Sequence, residues 1–151
     1  MVGLTDDSGN VLSPMEFAAV NRNDCVLLQN SLKRFKRVVK TVGLNIRGAE
    51  LNLDSGFDSR ANRKMVWNAK LTPNIPENPR NRNRSKPKRG RPRHYNVKSY
   101  RRRFTIERTF AWEDCYRSLV IRYDRKSANY MGRKLLAYAL INLRYFCGKS
   151  Q

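Results

Sequence analysis

Between Arg80 and Ile106 the chain carries twelve Lys or Arg residues and no acid. Arg80, Arg82 and Arg84 alternate with Asn81 and Asn83, and Lys86-Pro87-Lys88-Arg89-Gly90-Arg91-Pro92-Arg93 follows. Such a stretch has no apolar face to bury, and Pro76, Pro79, Pro87, Pro92 and Gly90 interrupt regular structure. Residues 76–98 are therefore expected to form a basic flexible loop, disordered when free. The core must come from the chain on either side of it. The 151 residues suffice for one domain with a real core, so 1–151 reads as a single domain.

The same stretch bears on partners. Its charge can neutralise several phosphates, which gives sequence-tolerant, salt-sensitive binding. Arg89, Arg91 and Arg93 surround a Gly-Arg-Pro step that suits a narrow minor groove. The net charge of +20 implies a polyanionic partner, nucleic acid ahead of an anionic membrane surface. No apolar run approaches the ~18 residues of a transmembrane helix. The N-terminus lacks the regions of a signal peptide. Cys25, Cys115 and Cys147 are odd in number and scattered, which argues against a disulfide framework. A single histidine, His94, and no Cys-x-x-Cys argue against structural zinc. A reduced, cytoplasmic protein is expected, with its cysteines as small core hydrophobes.

Two short apolar runs, 2–4 and 11–17, flank Asp6-Asp7-Ser8-Gly9-Asn10 and predict a β-hairpin with both aspartates in its turn. Asp24 can cap a helix over 25–39 whose apolar face includes Leu28, Leu32, Phe35 and Val39. Lys33, Arg34, Lys36, Arg37 and Lys40 fall on its wet face, solvated or turned to nucleic acid. Leu51-Asn52-Leu53 predicts a strand that ends at Asp54-Ser55-Gly56-Phe57-Asp58. Asp58 or Ser59 then caps a helix over 60–69, and 71–75 is a further strand. A strand–loop–helix unit places Asp54 at a strand's C-terminal end, the edge where open α/β sheets hold ligands. Asp58 reads as a turn or cap residue only. Two helices close the chain, one from about 99 into 119–123 and one over 129–146. The second has Leu135, Leu136, Ala139, Leu140 and Leu143 on its apolar face, with Tyr130, Tyr138, Tyr145 and Phe146 as packing residues.

One carboxylate stands inside the first closing helix. In Tyr100-Arg101-Arg102-Arg103-Phe104-Thr105-Ile106-Glu107, Arg103 and Glu107 are four apart and share a helix face. The pair can be a simple ion pair, worth roughly 0.2–0.5 kcal/mol. It can also be a metal-holding carboxylate beside a phosphate-holding Arg and Tyr.

The order strand–Asp54-Ser55-Gly56-Phe57-Asp58-Ser59–helix, basic loop, Tyr100-x2-Arg103-x3-Glu107 resembles bacterial insertion-sequence transposases of the DDE type. The run Ile106-Glu107-Arg108-Thr109-Phe110-Ala111-Trp112, then Arg117-Ser118-Leu119, is similar to the insertion sequence four or five group. The resemblance implies an α/β ribonuclease H-like fold, a mixed sheet flanked by helices. It implies three carboxylates around two Mg²⁺ ions that activate the nucleophile and stabilise the leaving oxygen. On it Asp54 is the second Asp and Glu107 the Glu, both catalytic and metal-binding, while Tyr100 and Arg103 grip DNA phosphates. The partner implied is the double-stranded DNA of transposon ends, in a bacterial cytoplasm and nucleoid.

Two departures carry expectations of their own. Asp114 stands seven residues after Glu107, where the family often has Lys, and Arg117 is a substitute base. The first Asp and its strand precede the opening hairpin in the family, so this chain reads as an N-terminally truncated domain lacking its first strand. An upstream transposase polypeptide would supply them, or the copy has decayed. The two-metal site is then incomplete, and the chain alone is expected to bind DNA without cutting or joining it efficiently. A non-catalytic DNA-binding remnant or regulator of transposition is the alternative function. A basic RNA-binding protein explains the charge but not a carboxylate at the family spacing.

Overall fold

The computed structural model describes residues 2–16, 24–81, 93–121 and 123–148. Strands β1 (Val2–Thr5) and β2 (Val11–Glu16) form the expected antiparallel hairpin, with Leu4 opposite Ser13 and Thr5 opposite Val11. Asp6 makes its turn. One carboxylate oxygen accepts from the Ser8 and Asn10 amides at 2.9 and 2.8 Å, and the other from Asn10 Nδ2 at 2.7 Å. Gly9 adopts φ +88°, and its carbonyl accepts a 2.8 Å bond from Thr109 Oγ1. A Cβ there would lie 3.1 Å from that same oxygen. Gly9→Ala is therefore expected to destabilise the fold by about 1 kcal/mol or more, through backbone strain as well as crowding. An unchanged thermal midpoint would sink this expectation.

Helix α1 (Asp24–Val42) buries Leu28, Leu32, Phe35 and Val39 and keeps Lys33, Arg34, Lys36, Arg37 and Lys40 exposed, as its periodicity predicts. Gly43 at φ +70° ends it, and the Leu44 amide closes back on the Val39 carbonyl at 3.1 Å. Strand β3 (Glu50–Asn52) and strand β4 (Thr72–Asn74) pair in parallel, joined by helix α2 (Arg60–Asn68). Ser59 caps α2, accepting the Asn62 amide at 3.0 Å. Leu4, Leu28, Phe35, Leu53, Val66 and Ile75 meet in one core, so hairpin, α1 and the β3–α2–β4 unit pack as one body.

Helices and strands mix as expected, but the sheet differs. Among the described residues the strands form two separate pairs, β1–β2 and β3–β4. Side-chain packing under α1, rather than a continuous ladder, holds the pairs together.

The first closing helix is also different. It breaks into α3 (Val97–Arg101), α4 (Phe104–Asp114) and α5 (Arg117–Val120). At the first break the amides of Arg102, Arg103, Thr105 and Ile106 bond three residues back, a 3₁₀-type connection. Arg102 there pairs with Asp7 at 2.6 Å. At the second break Tyr116 is extended.

Helix α6 (Ser127–Cys147) corrects the expected apolar face. Leu135, Leu136, Leu140, Leu143 and Phe146 are exposed, while Lys134, Ala137, Tyr138 and Ile141 are buried. The polar partner on α4 selects the face. Glu113 accepts Lys134 Nζ at 2.6 Å and the Tyr138 hydroxyl at 2.7 Å. Burial, then the bond to Glu113, raises the Tyr138 hydroxyl far above the usual tyrosine range. Cys115 and Cys147 are exposed rather than core residues, because their helix ends leave them at the rim.

The expected loop 76–98 is structured at both flanks. Pro79–Asn81 forms a 3₁₀ turn, and α3 begins at Val97. The Asn78 amide and Arg93 both bond to Asp58, which anchors the flanks despite their charge. Residues 82–92 lie outside the described residues. Among the described residues no helix is long and apolar enough to cross a membrane.

Candidate active site and nucleic-acid face

The C-terminal end of β3 is built on asparagines. Buried Asn74 of β4 donates to Asn52 Oδ1 at 2.6 Å and to the Asn96 carbonyl at 2.9 Å, and accepts the Asn96 amide at 2.8 Å. Asn52 in turn donates to Ser99 Oγ at 3.0 Å. Asn96 caps α3, accepting the Ser99 amide at 3.2 Å. These bonds hold α3, with Tyr100 on it, against the end of β3. Asparagine is disfavoured in strands. Asn52 and Asn74 in short apolar runs were thus the sequence signal for this network, and it went unread.

Asp54 lies at the end of β3, exposed, with Oδ1 accepting the Ser55 amide at 2.7 Å. It caps a 3₁₀ turn, Ser55–Phe57. Tyr100 is half-buried. Burial raises its hydroxyl above the usual tyrosine range, the Arg103 cation opposes this, and the Asp54 charge adds to it. Arg103 stacks over the Tyr100 ring at 5.7 Å. Its Nη2 lies 3.6 Å from Glu107 Oε1, and the Glu107 side chain is 64% exposed. Asp54, Tyr100, Arg103 and Glu107 are thus linked in one chain of neighbours across β3, α3 and α4. The Arg103–Glu107 contact by itself is a weak surface pair.

A cavity of about 270 Å³ opens beside them, lined by Asp54, Arg102, Arg103, Asp6 and Asp7 among others. Glu107 is outside its lining. Asp6 is occupied by the hairpin turn and Asp7 by Arg102. Among the described residues no group of three or more His, Cys, Asp or Glu is placed to hold a metal ion. Mg²⁺ takes octahedral oxygen donors and is usually held through carboxylates. The described residues therefore do not make a metal centre by themselves.

Asp58, read from sequence as a mere turn residue, is a buried hub. It accepts Arg63 Nε at 2.9 Å, Arg93 Nη1 at 2.8 Å and the Asn78 amide at 3.0 Å. Burial pushes its carboxyl up, but the Asn78 bond and the two guanidinium groups outweigh burial and hold it below the usual range. Arg93, expected as a DNA contact, is thus engaged with Asp58 while its side chain stays 44% exposed. Arg89 and Arg91 lie outside the described residues. At the start of β3, Glu50 accepts or shares a 2.7 Å bond with His94 Nε2 and accepts Asn96 Nδ2 at 3.1 Å. The His94 bond leads in lowering the Glu50 carboxyl.

Residues 51–144, more than half of the chain, match the family model described as Transposase DDE domain. No curated protein and no solved structure matches.

Proposed function

Because this chain belongs to the transposase DDE domain family, we propose that it acts in DNA transposition, binding the double-stranded DNA of transposon ends. Within the family, the Tyr100-x2-Arg103-x3-Glu107 spacing favours the insertion sequence four or five-like group. The supporting observation is the neighbourhood of Asp54, Tyr100, Arg103 and Glu107 at the end of β3, in a chain of net charge +20. Tyr100 and Arg103 present a hydroxyl and a planar cation beside one another, donors that suit a phosphate. Arg93 and the residues Arg89 and Arg91 extend the basic face. The setting is the bacterial cytoplasm, on the nucleoid DNA.

Asp54 and Glu107 are the two carboxylates assigned to hold Mg²⁺ for DNA cleavage and strand transfer. A third donor is required, and on this reading an upstream transposase polypeptide brings it. A second reading, a non-catalytic DNA-binding module, is favoured by the lack of a metal-holding group among the described residues.

The experiment is titration of a labelled duplex DNA at several salt concentrations, with and without Mg²⁺. The logarithm of affinity is expected to fall linearly with the logarithm of salt, as for phosphate neutralisation. Tyr100→Phe with Arg103→Gln should weaken binding several-fold. Asp54→Asn and Glu107→Gln should leave binding intact and, in the completed protein, remove Mg²⁺-dependent cleavage. No duplex binding at low salt would overturn the proposal. Cleavage that survives both carboxylate changes would overturn the assignment of Asp54 and Glu107.

A further inference from the structure

Strands β1 and β3 each pair on one side and leave the other edge unpaired among the described residues. In β3 the Ala49 carbonyl and the Leu53 amide bond to β4, accepting from Thr72 and donating to Asn74. Main-chain groups alternate sides along a strand, so those of Glu50 and Asn52 point to the opposite edge. That edge and residues 3–5 of β1 line the same cavity. Ile106 and Phe110 of α4 close it with apolar side chains. Two strand edges facing one space are a template for a strand between them.

Charge selects the occupant. The lining carries Asp6, Asp7, Glu50 and Asp54 against only Arg102 and Arg103, an acidic spot in a chain of +20. A phosphate backbone is repelled there. A second copy pairing through its own β1 or β3 edge would bring the same carboxylates and set like charges together. A strand from a different polypeptide suffers neither conflict.

We propose that this cavity receives one extended strand donated by another polypeptide, bonding β1 on one side and β3 on the other and merging the two pairs into one sheet. Its side chains alternate, and the apolar set meets Ile106 and Phe110. The proposal rests on the functional reading in one respect only: the donated strand passes Asp54, where the third donor is needed. The docking itself follows from the edges.

The probe is a synthetic peptide of about eight residues alternating Val with Thr and ending in Lys. It is added to the full chain, and amide hydrogen exchange is followed residue by residue. A second arm fuses the peptide ahead of Met1 through a Gly-Ser linker, which raises its effective concentration to about millimolar. The expected result is at least tenfold slower exchange at Glu50, Asn52 and residues 3–5, with no change along the exposed face of α1. A peptide with alternate amides N-methylated keeps every side chain but loses one edge of donors, and should give no protection. Equal protection by the methylated peptide, or none in either arm, overturns the proposal. So does protection that grows with protein concentration alone and doubles the mass, which assigns the edges to a second copy. Docking without duplex binding would instead sink the functional reading and leave this one standing.

Discussion

Lys134→Met is expected to destabilise the fold by about 3–5 kcal/mol, the cost of stranding one half of a buried ion pair. Lys134 is 2% exposed and Glu113 7%, so neither has water to fall back on. With the ammonium gone, the Glu113 carboxylate keeps only the Tyr138 hydroxyl, at 2.7 Å. The Tyr130 ring, 5.7 Å from Lys134 Nζ, loses its cation as well. The double variant Glu113→Leu with Lys134→Met should recover most of the loss, because it removes both charges and fills the space with apolar atoms. Urea unfolding at constant slope measures both. A single-variant loss under about 1 kcal/mol would show that the pair behaves like a surface contact. The cluster also bears on the site. Glu113 lies six residues after Glu107 on α4. Freeing it from α6 removes what holds α4, and with it Glu107, in place.

Asp58→Asn is expected to cost about 3 kcal/mol and to make the remaining stability less sensitive to acid. Asp58 is 6% exposed, and Arg63, its main ionic partner, has a side chain only 12% exposed. Arg93 at 44% contributes less, because solvent screens it. The folded Asp58 carboxyl lies below its ordinary value. A depressed carboxylate adds stability that is present above the unfolded value and is lost as pH falls through the folded value. The gap between the natural chain and Asp58→Asn should therefore be widest near neutral pH. It should close as pH drops below the ordinary aspartate range. A gap constant from neutral to acid pH would mean that Asp58 acts through shape and not charge. Because Asp58 ties Asn78 to Arg93, its loss should also raise trypsin cleavage between those residues.

Much of the local structure was legible before any coordinates. The hairpin followed from two apolar runs about Asp6-Asp7-Ser8-Gly9-Asn10, and the model has it there. The β3–Asp54–α2–β4 unit followed from a short strand, a Ser cap and a helical run, with bounds shifted by a residue or two. The family, too, was readable from Asp54 through Glu107, a stretch that lies inside the matched residues. These are short-range properties. Turn chemistry, capping and periodicity act within a few residues, and a family's spacing is itself a sequence property.

Contacts between distant segments decided the rest. Five apolar residues on α6 predicted its buried face, yet the buried face is the one that carries Lys134 and Tyr138. Glu113, twenty-one residues before Lys134, selects it, because a buried carboxylate without a cation and a hydroxyl is costlier than exposed leucines. Asp58 looked like a cap until the fold brought Arg63, Asn78 and Arg93 to it. Composition and short-range pattern thus determined which elements form, what charge they present and to which family the chain belongs. Tertiary structure alone decided which faces are buried, where the closing helix breaks and which strand edges stay open. Those outcomes depend on desolvation and pairing between groups far apart in sequence, which no local pattern encodes.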